Sequence, residues 1–507
     1  MIRDRIGTPL SAAAGQADGR LYRLATYALI ALCCAPALFL DYLPMRELPQ
    51  YAALSRMLLH LQDPAYGFAA FYQLDFARGA SVLPLWLWGA LAELVGLQTA
   101  TKLIVWASLM LGLLGMCAVL RAQGKPVVLA LLGLPFVYAN SFYLGLVPSL
   151  FSVGLALWAI AWLLRGDAAL RLAAVSCMLP LTHPVGLIGV LLFATCYMLA
   201  HGRSYRRTAS RLWPLIPLVL GALYWLNASL HADGVAAPSW PGIVARIMLA
   251  PRLLIGGWNG NGDAWLLVAA LTLWVYLARP LSLRDPATGF AALLFLGYFL
   301  LPSSTGSSSA ICERAGSALL AWLPVLVSPK GLAASRQRGP WLLIALAVST
   351  CWYTSTELIH FNAEAKHFDA VLAKMPARPK LWTLAYDSQG ALSRSNPYVH
   401  IAAYAQAQRG GFLSLSHVDY AWAVPLRRRK DAPAPAPVYG SEWDPNLVQV
   451  QLDLYKFYDN ILIIGKEPRE MTILMHFPFD IAAQSGMFVL YTASVMPSAQ
   501  DPSSSPR

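Results

Sequence analysis

The chain has 507 residues, of which 57% are hydrophobic and only 13% charged. A soluble domain carries about a quarter charged residues, so the composition excludes an ordinary soluble protein and implies a polytopic membrane protein. Lysine and arginine outnumber aspartate and glutamate 38 to 26, a net charge of +12. These cations punctuate apolar runs and do not build one basic face, which argues against nucleic acid as a partner and for loop charges that set orientation.

Taken in chain order, residues 1–20 form a cytoplasmic segment, because Arg3, Arg5, Arg20 and Arg23 flank the first apolar run at 21–40. That run has no small-residue cleavage site and reads as an uncleaved signal anchor. A polar outer loop, 41–81, follows. Further runs with the length and composition of membrane helices lie near 82–97, 103–120, 126–140, 148–164, 168–182, 185–200, 212–230, 264–279, 287–302, 315–328 and 340–358. Loops 201–211, 279–285 and 329–339 carry the arginines and lysines and belong inside, which places 231–263, 303–314 and everything after 358 outside. If 82–97 and 103–120 both cross, Arg121 and Lys125 fall on the wrong side. Either 82–97, which is short and holds Glu93, lies at the interface, or His183-Pro184 is a kink within one span. The seven cysteines sit mostly in apolar runs without a CxxC pair and read as small core residues.

Beyond 358 the pattern changes. "KLWTLAYD", "LVQVQL", "NILIIG", "MTILMHF" and "MFVLYTA" read as strands, with helical patterns such as "PYVHIAAYAQAQR" between them. Residues 359–496 are therefore expected to form a small extracytoplasmic α/β domain. The stretch "RRRKDAPAPAP" reads as a charged, proline-rich loop, and 497–507 as a disordered tail. The expected fold is mainly α, a polytopic bundle of about 11–12 spans at 21–358 with this small α/β domain appended.

Several motifs carry a resemblance. Glu47-Leu48-Pro49-Gln50-Tyr51 follows the first span, "FYLGLVPSLFSVGLALWAIAWLLR" opens a later one, and Thr182-His183-Pro184 comes after it. "ICERAGSALLAWLPVLV", "HIAAYAQAQRGG" and "YKFYDNILIIG" complete the set. In this order they resemble bacterial integral membrane proteins related to the glycosyltransferases of the C-type fold. Glu47 stands where Asp is usual and Tyr51 where His is usual. The resemblance implies an inner-membrane protein that takes a sugar from a polyprenyl-phosphate donor. The acceptor would be a periplasmic glycan, lipid or protein, and the catalytic carboxylate would sit in the first outer loop. Two other readings remain: a non-catalytic scaffold of envelope assembly, which Tyr51 favours, and a transporter, which would show paired charges deep in several spans.

Such a transfer needs a carboxylate to take the acceptor proton, donors for the leaving phosphate, and a cavity. Glu47 and Asp41 are the candidate carboxylates. They would lie about 240° apart on a continuous helix, but Pro44 and Pro49 break continuity. Asp63 in "LQDPAYG" is expected to cap a turn, and Asp75 to pair with Arg78. Arg314 beside Glu313 is the candidate phosphate ligand. Arg246 and Arg252 suit an amphipathic helix on lipid headgroups or a phosphate contact. His183, between apolar stretches, is either a functional group or a helix-end histidine, and Tyr51 is a candidate substrate contact. "GGWNGNG" and "SSTGSSS" read as flexible outer loops, with Trp240, Trp258 and Trp265 as sugar-stacking or interface residues. His360, His367, His400, His417 and His476 lack metal-ligand spacing, so neither a metal nor a cofactor is expected.

Overall fold

The structure is a computed structural model. It describes residues 9–76, 81–201, 211–230, 238–254, 257–258, 260–278, 282, 285–305, 308–335, 338–420, 424–447, 457–465 and 479–494. The expected strands "LVQVQL" and "MTILMHF", His476 and the tail lie largely or wholly outside these residues. The strands, in chain order, are β1 (Tyr72–Leu74), β2 (Ser304–Thr305), β3 (Ser308–Ser309), β4 (Lys380–Ala385), β5 (Phe412–Leu413), β6 (Leu426–Arg428), β7 (Asn460–Ile464), β8 (Phe479–Ser485) and β9 (Phe488–Ala493). By its internal contacts the chain divides into two compact units. One comprises 1–40 and 102–359, the other 41–101 and 360–507.

The first unit is helical, as the apolar runs require, because in hydrocarbon a helix satisfies its own backbone groups. Among the described residues, Arg20–Phe39, Leu97–Ala122, Val147–Arg165, Pro184–His201 and Arg338–Leu372 are long and apolar enough to cross a membrane. Shorter apolar helices at Trp213–Asn227, Gly262–Leu277 and Pro286–Leu300 match the remaining expected runs within a few residues. The run at 126–140 departs in kind. Val127–Phe136 is a 3-10 helix, buried along its whole length. Helices Val147–Arg165 and Pro184–His201 pack closely. A β-carbon on Gly186 would lie 2.4 Å from the Ser152 carbonyl oxygen, so only a small residue permits that approach. Phe193, Phe290 and Trp322 interlock with ring centroids 5.0–5.8 Å apart, and the Trp322 indole donates to the Ala287 carbonyl. Leu220, Leu223, Val275 and Trp352 face outward, an arrangement suited to lipid.

The glycine stretch at 256–262 is not a slack loop where it is described. Trp258 is buried, edge-on to Tyr143 at 5.5 Å. The amides of Gly257 and Trp258 both donate to Asp263 Oδ2, at 3.1 and 3.3 Å. Trp258 is thus a core residue, whereas Trp240 and Trp265 remain exposed. "SSTGSSS" contributes the short antiparallel pair β2–β3.

The second unit holds a five-stranded sheet of order β5-β4-β7-β9-β8. β5, β4 and β7 run parallel, and β9 and β8 are antiparallel additions. β7 is buried at every position, which explains its unbroken apolar sequence. "RRRKDAPAPAP" is not all loop, because its first arginines extend β6, which pairs with β1 through Tyr72↔Arg428. Helix Leu48–His60 packs on helices Val82–Val95 and Ala403–Arg409. Val82–Val95 has 14 residues, short of the roughly 20 needed to span.

Gly410 and Gly411 close the turn into β5 with φ of +77° and +82°. A β-carbon on Gly410 would also fall 2.4 Å from the Tyr66 carbonyl oxygen. Gly410→Ala is therefore expected to cost about 2 kcal/mol or more, from the left-handed backbone and the clash together. The measurement is the thermal unfolding midpoint of the detergent-solubilised chain. An unchanged midpoint would show that this turn relaxes freely.

Candidate active site

Glu47 is the N-cap residue of helix Leu48–His60, with Pro49 in its first turn. Its carboxylate makes no capping bond and turns inward, leaving the residue 7% exposed. Oε1 accepts from Arg46 Nε at 2.8 Å. Oε2 lies 2.6 Å from His417 Nε2 and 3.2 Å from His400 Nε2. Both histidines are 4% exposed. The Arg46 guanidinium also sits 4.9 Å from the centre of the Trp443 ring.

The fold of the second unit brings these groups together. His417 lies four residues beyond the end of β5, and His400 in the turn before helix Ala403–Arg409, the crossover from β4 to β5. The chain leaves β4 for β5 on one side and later returns to place β7 on the other. His400 and His417 thus both follow the carboxyl ends of parallel strands β4 and β5, the end of an open parallel sheet outside which ligands collect. Gln50, one turn after Glu47, ties the helix to this corner. Its Oε1 accepts from the His417 amide at 3.2 Å and the Ser416 hydroxyl at 3.3 Å. A cleft of about 340 Å³, open solvent at its mouth included, is lined by Gln50, Thr383, His400, Ser414, Ser441 and Glu442.

Burial by itself would raise the Glu47 pKa. The positive fields of His400, Arg46 and His417 and the His400 hydrogen bond outweigh it and hold the carboxyl well below its usual range. Behind it, Asp419 takes a 2.8 Å ion pair from Arg428 Nε and accepts from the Ser416 amide at 2.9 Å. This fixes the turn that carries His417.

The other expected residues fall as follows. Asp41 pairs with Lys366 at 3.1 Å, and its amide donates to Asn362. Tyr51 is buried edge-on against His417, ring centroids 5.1 Å apart. Asp63 accepts from the Ala65 amide at 2.9 Å, the expected turn cap. Asp75 pairs with Arg427 at 3.6 Å, whereas Arg78 lies outside the described residues.

In the first unit, His183 is buried and accepts from the Val185 amide at 3.3 Å, capping helix Pro184–His201. Arg314, in the first turn of helix Ile311–Leu326, is near enough to act on it electrostatically. Arg246 departs from the headgroup expectation. Helix Ile243–Leu254 exposes Ile243, Val244, Ile247 and Met248 and buries Arg246, 1% exposed. The guanidinium donates to the carbonyls of Pro241 (3.1 Å), Leu301 (2.7 Å) and Tyr298, closing the end of helix Pro286–Leu300. Arg252 lies on the same helix, its side chain outside the described residues.

The sequence spacing pointed to no metal. Yet the ligand atoms of Glu47, His400 and His417 all lie within 4.8 Å of one another. His417 and Glu47 are 370 positions apart, so no local spacing rule brings them together. The one sequence signal near this corner is "HIAAYAQAQRGG", which opens on His400.

No family model matches the chain, and no curated protein matches it in sequence. Among solved structures, the crystal structure of ArnT from Cupriavidus metallidurans in the apo state aligns with a TM-score of 0.56 at 13% identity, over 95% of this chain and 98% of that one. The structure of ArnT from the same organism bound to undecaprenyl phosphate aligns at 0.57 with 12% identity, over 93% and 98%. At this identity the likeness is one of fold. The chain has the fold of the C-type glycosyltransferases, a mainly helical multi-pass membrane architecture with a small sheet-containing C-terminal region.

Proposed function

We propose that this chain is an inner-membrane glycosyltransferase. It moves a sugar from a polyprenyl-phosphate donor to a periplasmic glycan, lipid or protein. The observation that carries the reading is the fold, matched over nearly the whole length of a protein whose second structure holds undecaprenyl phosphate. Glu47 supports it, as a carboxylate kept ionised in a buried corner beside a cleft.

In this reading the acceptor hydroxyl attacks the anomeric carbon, the sugar–phosphate C–O bond breaks, and polyprenyl phosphate leaves. The hydroxyl proton passes to the Glu47 carboxylate. A carboxylate with so low a pKa takes the proton late, when bond formation has made the hydroxyl strongly acidic. Arg314 is the proposed partner of the leaving phosphate, as a bidentate donor. Asp41, already held by Lys366, is the lesser candidate.

The test is transfer by the purified chain in lipid vesicles, with polyprenyl-phosphate sugars as donors and envelope glycans, lipids and proteins as acceptors. Labelled product from the wild-type chain supports the reading. Donor that binds and stays intact across the whole panel counts against it. That outcome favours the scaffold reading, which draws on the saturation of Glu47 by three cationic or hydrogen-bonding partners.

A further inference from the structure

We infer that Glu47, His400 and His417 form a site for one divalent transition-metal ion of the Zn2+ class, on the second unit. This goes beyond the transfer reading and does not depend on it. With Arg46 on Oε1 and an ion on Oε2, Glu47 would be a metal ligand in the loaded chain and free to act as the proton base only in the metal-free one.

The donor set is the first argument. Two imidazoles and one carboxylate are a common three-ligand set for zinc, one that leaves a fourth position for water or a substrate oxygen. The second argument is convergence. Nε2 of His417 and Nε2 of His400 both point at the same oxygen, Glu47 Oε2, at 2.6 and 3.2 Å. In a tetrahedral site with ligands about 2.0–2.1 Å from the ion, neighbouring ligand atoms stand roughly 3.3 Å apart. The His400 contact already has that spacing, and the His417 contact needs to open by only about 0.7 Å. The third argument is burial. All three residues are more than nine-tenths buried, and a shared ion discharges the cost of holding them there without water.

The surroundings fit the same ion. Arg46 occupies Oε1 at 2.8 Å and leaves Oε2 to bind as a single-oxygen ligand. Gln50 supports the His417 ligand from behind, its Oε1 accepting from the His417 amide at 3.2 Å and so fixing the turn that carries this histidine. His400 also lines the cleft, so the fourth position would face a space that admits an oxygen ligand. The net charge of the loaded site with Arg46 is positive, which suits an anionic oxygen such as a phosphate or carboxylate.

The experiment uses the full chain in detergent and needs no sugar donor, so its outcome is independent of whether transfer is found. The chain is stripped with chelator, reloaded with Zn2+ or Co2+, and assayed for bound metal and for the visible absorption of tetrahedral Co2+. The expected result is one ion per chain, with the tetrahedral Co2+ spectrum. The ion should be lost in the His400→Gln/His417→Gln double variant and kept in His360→Gln. Gln50→Ala should keep the ion with affinity lowered by about 10-fold or more. A wild-type chain that takes up no stoichiometric metal overturns the inference, and so does a double variant that binds as well as wild type. The wild-type measurement decides the matter even where a variant fails to fold.

Discussion

Glu47→Gln is expected to reduce sugar transfer by about 10²–10⁴-fold, the usual contribution of a positioned general base. The amide keeps the size of the side chain but cannot accept the acceptor proton. It also leaves Arg46, His400 and His417 facing a neutral group in a buried corner. Removing one partner of a buried charge pair costs about 3–5 kcal/mol. Two readouts separate the effects. Transfer is measured well below the unfolding midpoint, and the midpoint is measured on the same preparation. A monodisperse Glu47→Gln chain that transfers at the wild-type kcat would remove Glu47 as the base, whatever its midpoint.

Arg246→Met should destabilise the first unit by about 2 kcal/mol, and Arg246→Ala by about 2–4 kcal/mol. Methionine fills most of the volume but offers no donor. Its cost therefore isolates the hydrogen bonds that Arg246 gives to Pro241, Tyr298 and Leu301. The Tyr298 carbonyl is buried, and an acceptor left unpaired there carries a penalty of about 1–3 kcal/mol. Alanine adds the loss of packing around a fully buried side chain. The Tyr298 hydroxyl donates back to the Arg246 carbonyl at 2.8 Å, so the two helix ends loosen together. The check is the thermal midpoint of both variants in the same detergent. A Met variant that melts with wild type would mean that water satisfies those carbonyls, and the helix-closing role would fall.

Much of the fold was legible because its drivers are local. Runs of some twenty apolar residues can only be helices in lipid, so most of the expected runs reappear as helices, although among the described residues only five are long and apolar enough to cross a membrane. β4, β7 and β9 likewise announce themselves as short apolar runs between turn residues. Local signals failed where the partner is remote. Val127–Phe136 has the composition of a span but winds as a buried 3-10 helix. Trp258 sits in a glycine-rich stretch that looks slack, yet Tyr143 and Asp263 hold it in place. The arginines of "RRRKDAPAPAP" gain a strand only because β1, hundreds of residues earlier, lies beside them.

The candidate site divides along the same line. The sequence by itself determined a membrane chain, a first outer loop with an acid at position 47, and a strand-bearing region after 358, because composition and periodicity act over a few turns. Only the tertiary structure decided that Glu47 points inward, that Gln50 clasps the turn beyond β5, and that His400 and His417 converge on one carboxylate oxygen. It also turned Arg246 from a surface cation into a buried helix-end donor. The physical reason is the crossover between β4 and β5. It carries two unremarkable histidines to the same end of a parallel sheet, where Glu47 stands on a helix packed in the same unit, and no spacing along the chain encodes that distance.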